Sequence, residues 1–175
     1  LPISELHKQQ AAHEELLVVV QENIAVQEKA IRELEQEAKK MEALIRRLQA
    51  ERQPQTSQFV PSGKLQWPLA EYGTSWITSG YGTRVNPITG RPGEFHGGVD
   101  IGIPRTRWPG SGNYNGNPVY IRAADDGVVI YAGLNGSLSY GYGRLVIVAH
   151  GQSGGKELTT LYAHCHTLLV APGQQ

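Results

Sequence analysis

The sequence predicts an α+β chain: one long N-terminal helix carrying a coiled-coil seam, followed by an antiparallel all-β domain. Three observations predict it. All 21 glycines lie at or beyond Gly63, so the first part of the chain lacks the residue that turns favour and helices avoid. Apolar residues in that part recur with 3-4-3-4 spacing. Beyond it, short β-branched runs alternate with Gly, Pro, Asn and Asp, with no helical pattern between them.

The helix comes first. Leu17, Val20, Ile24, Gln27, Ile31, Leu34, Ala38, Met41, Ile45 and Leu48 form the stripe, and only Gln27 is polar. This is the seam of a left-handed coiled coil, and a seam needs a partner. The partner is expected to be a second copy, a preceding antiparallel helix or another protein. Glu28–Arg32, Glu35–Lys39 and Glu42–Arg46 recur at i,i+4, each stabilising the helix by about 0.2–0.5 kcal/mol. His7 and His13 sit among Gln and Glu and read as solvated helix histidines. The helix is expected over residues 1–53. Over residues 3–52 it would reach roughly 75 Å at 1.5 Å per residue. Pro54 should stop it, and residues 54–62 should form a linker.

The remaining elements read as β. Residues 118–124 and Val128 to Ala132 flank Asp125-Asp126-Gly127, a hairpin signal. Gly143 to Ala149 predicts a strand closed by His150-Gly151, with His150 as a turn residue. Gln152 to Lys156 predicts a Gly-rich turn, and Leu158 to His164 a returning strand. The stretch from Pro104 to Asn117 holds Pro104, Pro109, Gly110, Gly112 and Gly116 and predicts a long surface loop, a kind of segment that is usually functional or mobile.

Charge and composition narrow the function classes. Sixteen basic and sixteen acidic residues give a net charge of zero, which leaves no electrostatic footprint for nucleic acid. No run approaches the roughly 18 apolar residues that span a bilayer. Leu1-Pro2 opens without the basic and apolar regions of a signal peptide, so the chain is expected to be an excised or processed piece. Any membrane anchor would lie outside it. The single Cys165 excludes an internal disulfide.

The chemistry concentrates in Phe95-His96-Gly97-Gly98-Val99-Asp100-Ile101-Gly102. An imidazole and a carboxylate stand four residues apart, and both are ligands of catalytic zinc. The two glycines are expected to let the backbone turn sharply and approach an ion. Tyr162-Ala163-His164-Cys165-His166 follows another apolar run. Alternation along a strand would put His164 and His166 on one face, roughly 6.5–7 Å apart.

Five pieces in order carry a resemblance. They are residues 63–69, residues 77–88 (which include Ser79-Gly80-Tyr81-Gly82-Thr83-Arg84), His96 to Ile101, Ala123 to Val129, and Thr159 to His164. Residues 63–175 resemble the lysostaphin-type (LytM-like) zinc metallopeptidases that cut peptidoglycan peptides. With the coiled coil, the layout resembles the EnvC/NlpD-like murein hydrolases and hydrolase activators. The resemblance implies a small antiparallel β-sheet groove with zinc on its floor. It assigns zinc binding to His96 and Asp100 and a catalytic role to His164. It implies a zinc endopeptidase of the cell envelope, outside the cytoplasm, or a non-catalytic activator of a cell-wall amidase.

One departure bears on the site. The family takes its third ligand from a His-x-His strand after a Val-x-x-Gly-Gln turn. Val170-Ala171-Pro172-Gly173-Gln174-Gln175 matches that turn, so the third ligand is expected beyond Gln175. The alternative is His166 as third ligand of a shortened site. On the first reading, these 175 residues alone should bind zinc poorly and cleave peptidoglycan poorly.

Overall fold

A computed structural model describes residues 3–56, 59–85, 90, 94–138 and 141–175. Within the helix and strands, the side chains at 4, 30, 33, 34, 37, 53–56 and 94 are not described, so Leu34 of the seam lies outside the described side chains. The chain divides into two units, Leu1–Ala43 and Leu44–Gln175.

The first unit is helical throughout its described residues. Helix α1 runs Ile3–Thr56, so it passes Pro54 rather than stopping there. A proline in the final turn removes one backbone donor near an end that is already fraying, which is tolerable where the same residue mid-helix would not be. The upper seam residues Leu17, Val20 and Ile24 are exposed in the single chain, as are Val18 and Val19. No helix of the described residues is long and apolar enough to cross a membrane.

The second unit takes the last turns of α1 and the β elements. Leu48 is buried, and Gln49 Nε2 donates to Thr159 Oγ1 at 2.5 Å. The end of the helix thus packs within its own unit. Three small sheets follow. Strand β1 (Ile77–Ser79) pairs antiparallel with β4 (Asp100–Ile101), and β2 (Gly82–Arg84) with β3 (Glu94–His96). Strands β5 (Val128–Asn135), β6 (Gly143–Ser153) and β7 (Lys156–Tyr162) form an antiparallel meander with β6 in the middle. Val128, Ile130, Leu145 and Ile147 from this sheet are the fully buried core.

The expected strand over 118–124 does not form a ladder. Asp125-Asp126-Gly127 is therefore no hairpin turn. The segment's backbone groups pair elsewhere: Arg122 N donates to Pro68 O at 3.0 Å, and Ala124 O accepts from Gln66 N at 2.6 Å. Gly154 and Gly155 both have positive φ, 58° and 76°, between the paired residues Ser153 and Lys156. That is the two-residue hairpin whose twist suits antiparallel strands. The terminal turn is equally specific. Gln174 N donates to Ala171 O across Pro172-Gly173, with Gly173 at φ 94°, the position that demands glycine in a type II turn. Gly173 N and Gln174 O then bond Val129 O and N at 2.8 and 2.9 Å, against the outer edge of β5.

His150 is not a turn residue. Strand β6 continues past it to Ser153, through a register irregularity between Ala149 and Gln152 that Gly151 absorbs at φ 87°. The imidazole is completely buried and completely satisfied. Its Nδ1 lies 2.8 Å from Asp126 O, so Nδ1 carries a proton. Its Nε2 lies 2.8 Å from Thr160 Oγ1, which is 2.8 Å from the Tyr162 hydroxyl. Ala124 N donates to that hydroxyl at 2.7 Å. This chain of bonds ties the 124–127 bend to β6 and β7. A Cβ on Gly127 would collide with the Ala149 carbonyl and come within 2.9 Å of His150 Nδ1.

Candidate metal centre

His96 ends β3, where alternation along the strand sends Phe95 to the opposite face. There Phe95 stacks edge-to-face on Tyr81, centroids 5.2 Å apart. Asp100 opens β4. Its register partner on β1 is Ser79, and between Ile77 and Ser79 the ladder shifts, so two β1 residues span one step of β4. Such a bulge re-aims a side chain. Gly80 and Tyr81 link β1 to β2, and Gly82, at φ 111°, pairs with His96. The two small sheets are thus joined through the residues that frame the site.

The side chains converge. His96 Nδ1 lies 2.9 Å from Gly80 O. A carbonyl only accepts, so Nδ1–H donates and the lone pair of the neutral ring sits on Nε2. His96 Nε2 lies 3.4 Å from Asp100 Oδ1. A charge-assisted hydrogen bond would close to about 2.7–2.9 Å. Two atoms each about 2.0–2.1 Å from a tetrahedral zinc stand about 3.3 Å apart. The gap fits an ion better than a proton, and the donor set of neutral imidazole and carboxylate suits zinc.

Around this pair, Ser79 Oγ lies 3.5 Å from His96 Nδ1. Arg84 NH1 bonds Ser79 Oγ and stands 3.5 Å from Asp100 Oδ2. Neither Gly97 nor Gly98 adopts positive φ, so the bend between His96 and Asp100 does not rest on left-handed backbone. Gly98 serves differently: a Cβ there would begin 3.9 Å from His96 Nε2, on the side of the ring facing Asp100.

His164 stands on another element. Strand β7 ends at Tyr162, and His164 has φ 58°, the only positive φ among described non-glycine residues. The left-handed turn breaks the alternation that would have put His164 and His166 on one face. His164 N donates to Tyr142 O at 3.0 Å, and Cys165 N to Arg144 O at 2.9 Å, which fixes the turn against the start of β6. Both imidazoles are exposed. His166 Nδ1 meets Thr167 Oγ1 at 2.9 Å, and its Nε2 lies 3.8 Å from where a Cβ on Gly110 would be. Among the described residues, no three His, Cys, Asp or Glu side chains converge as a metal-binding group. The structure brings His96 and Asp100 together and joins neither His164 nor His166 to them. Cys165 is half-buried, burial pushes its thiol pKa up, and Sγ donates to Tyr162 O at 3.4 Å. That is the opposite of an activated thiolate.

The loop over 104–117 is anchored by Arg107. Its guanidinium meets Glu71 twice, NH1 to Oε2 at 2.7 Å and NH2 to Oε1 at 3.0 Å, while Nε donates to Asn117 O at 2.7 Å. The hydrogen bond from Arg107 holds the Glu71 carboxyl below the ordinary carboxylate range. Trp108 Nε1 donates to Ile103 O at 2.8 Å, and the Arg105 guanidinium lies 5.9 Å from the Trp108 ring centroid.

Sequence reasoning assigned no role to Ser79, Gly80 or Arg84. All three stand within a matching motif, but nothing in their spacing says that they converge on an imidazole and a carboxylate some 15 positions further on. Residues 94–175 match Peptidase family M23. No curated protein and no solved structure matches the chain.

Proposed function

We propose that the chain is a zinc-dependent endopeptidase cutting the stem or cross-link peptides of peptidoglycan, in the cell envelope, a reading supported by the match of residues 94–175 to Peptidase family M23. The observation that carries this reading is the 3.4 Å approach of His96 Nε2 to Asp100 Oδ1, with Nδ1 tied to Gly80 O. His96 and Asp100 would hold the zinc. Bound zinc supplies Lewis acidity toward water and a peptide carbonyl. Gly80 fixes the tautomer of His96, as outer-shell partners of ligating imidazoles commonly do. His164 is the proton-handling group of this proposal. That role comes from the family resemblance, which gives the histidine of the Tyr-x-His piece a part in catalysis.

Digestion of purified peptidoglycan tests the reading, with the released peptides identified by mass. New amino termini should appear slowly with wild type, vanish with His96→Ala or a chelator, and return when zinc is restored. Release that is indifferent to His96 would refute it.

One observation favours a second reading, a non-catalytic activator of a cell-wall amidase. Leu17, Val18, Val19, Val20 and Ile24 are exposed on the helix. On that reading the exposed stripe from Leu17 to Ile24 docks a partner helix. The chain would then raise a separate amidase's activity, and His96→Ala would do so equally well.

A further inference from the structure

We propose that Arg84 is a positioning residue that makes Asp100 a one-oxygen ligand and so selects a low-coordinate metal ion. The inference rests on the zinc reading above. A carboxylate offers two oxygens, and here the two face different groups. Oδ1 faces His96 Nε2 at 3.4 Å. Oδ2 faces Arg84 NH1 at 3.5 Å. The guanidinium does not arrive there by chance. NH1 also bonds Ser79 Oγ, and Ser79 is the strand partner of Asp100. Arg84 itself ends β2, whose other end, Gly82, pairs with His96. Both small sheets thus contribute to placing one cation on one oxygen. The Arg84 side chain is 23% exposed and the Asp100 side chain 52%, so the more sheltered partner holds the more open one.

The consequence is chemical. With the Arg84 cation facing Oδ2 at 3.5 Å, Asp100 turns Oδ1 toward His96. Zinc accepts single oxygens in four-coordinate sites. Calcium takes six to eight oxygens, often as bidentate carboxylates, and manganese favours six-coordinate oxygen sites. Removing the guanidinium would free Oδ2, let the carboxylate chelate, and raise the coordination number. It would also remove a positive charge, which raises affinity for every divalent ion alike. The test must therefore read selectivity and geometry rather than affinity alone.

The experiment is a cobalt(II) titration to saturation, read by visible absorption, with parallel zinc-against-manganese competition. Wild type should give the intense visible bands of low-coordinate cobalt. Arg84→Met should weaken those bands and lower the zinc-over-manganese preference. Ser79→Ala, which loosens Arg84 without removing it, should move both readouts the same way. Arg84→Lys, which keeps a cation near Oδ2, should restore part of each. Bands and preference unchanged in Arg84→Met, with His96→Ala still abolishing cobalt binding, would overturn the role of Arg84 alone. Wild type that binds no cobalt through His96 would overturn the zinc reading and this proposal with it.

Discussion

Replacing Thr160 by Val should destabilise the β unit by about 2 kcal/mol. The magnitude follows from the bonds around His150. Valine is close to threonine in shape, so no cavity opens. What disappears is the hydroxyl 2.8 Å from His150 Nε2 and 2.8 Å from the Tyr162 hydroxyl. The Tyr162 hydroxyl keeps Ala124 N–H at 2.7 Å. His150 Nε2, on a fully buried side chain, is left with nothing. An orphaned buried polar group costs about 1–3 kcal/mol. With a urea slope of about 2 kcal/mol/M, the midpoint should fall by about 1 M. The three tryptophans, Trp67, Trp76 and Trp108, all lie in the unit beginning at Leu44, so fluorescence reports that unit and not the rest of the helix. The double variant His150→Phe, Thr160→Val removes both partners and should recover part of the loss. A midpoint within about 0.2 M of wild type for Thr160→Val would mean that this hydroxyl does not satisfy His150.

Three further outcomes follow from the same geometry. Gly127→Ala should cost about 3 kcal/mol, because the new Cβ meets the Ala149 carbonyl, which cannot move without disturbing β6; an unchanged urea midpoint would refute the collision. Glu71 has a folded pKa below its ordinary value because of its hydrogen bond from Arg107, so its hold on the 104–117 loop is complete above the usual glutamate range and is lost as pH falls through the lowered value. The Trp108 indole proton resonance should shift in that acid window in wild type and stay put in Glu71→Gln, while limited proteolysis at neutral pH should cut the variant's loop sooner. Ile24→Asp should weaken any assembly through the helix seam by burying a charge; sedimentation showing a monomer for both wild type and variant would reject self-pairing.

The pattern of residues told some of these things and not others, for physical reasons. The helix was legible because 3-4-3-4 spacing is a local signal, although its end was not. Pro54 counts against a helix interior, and the sequence does not show that the proline falls in the last turn. The meander β5 to β7 was legible from its apolar runs and the Gly154-Gly155 hairpin. The segment 118–124 misled because the backbone of Arg122 and Ala124 bonds to Pro68 and Gln66, a pairing set by tertiary contact. The convergence of His96 and Asp100 was legible because the two residues lie within five positions of each other. Arg84 and Ser79 were not, since their role depends on how β1–β4 and β2–β3 are joined. His150 read as a turn residue because the glycine after it signals a turn. In the structure that glycine makes a bulge, and the strand carries the imidazole into the core.

The most direct test of the account is zinc binding measured by competition with a chromophoric chelator, for wild type, His96→Ala and Asp100→Ala. The account predicts weak zinc binding by these 175 residues that depends on both His96 and Asp100 and is lost in both variants while the urea midpoint by tryptophan fluorescence holds. Zinc binding that survives both substitutions would contradict it.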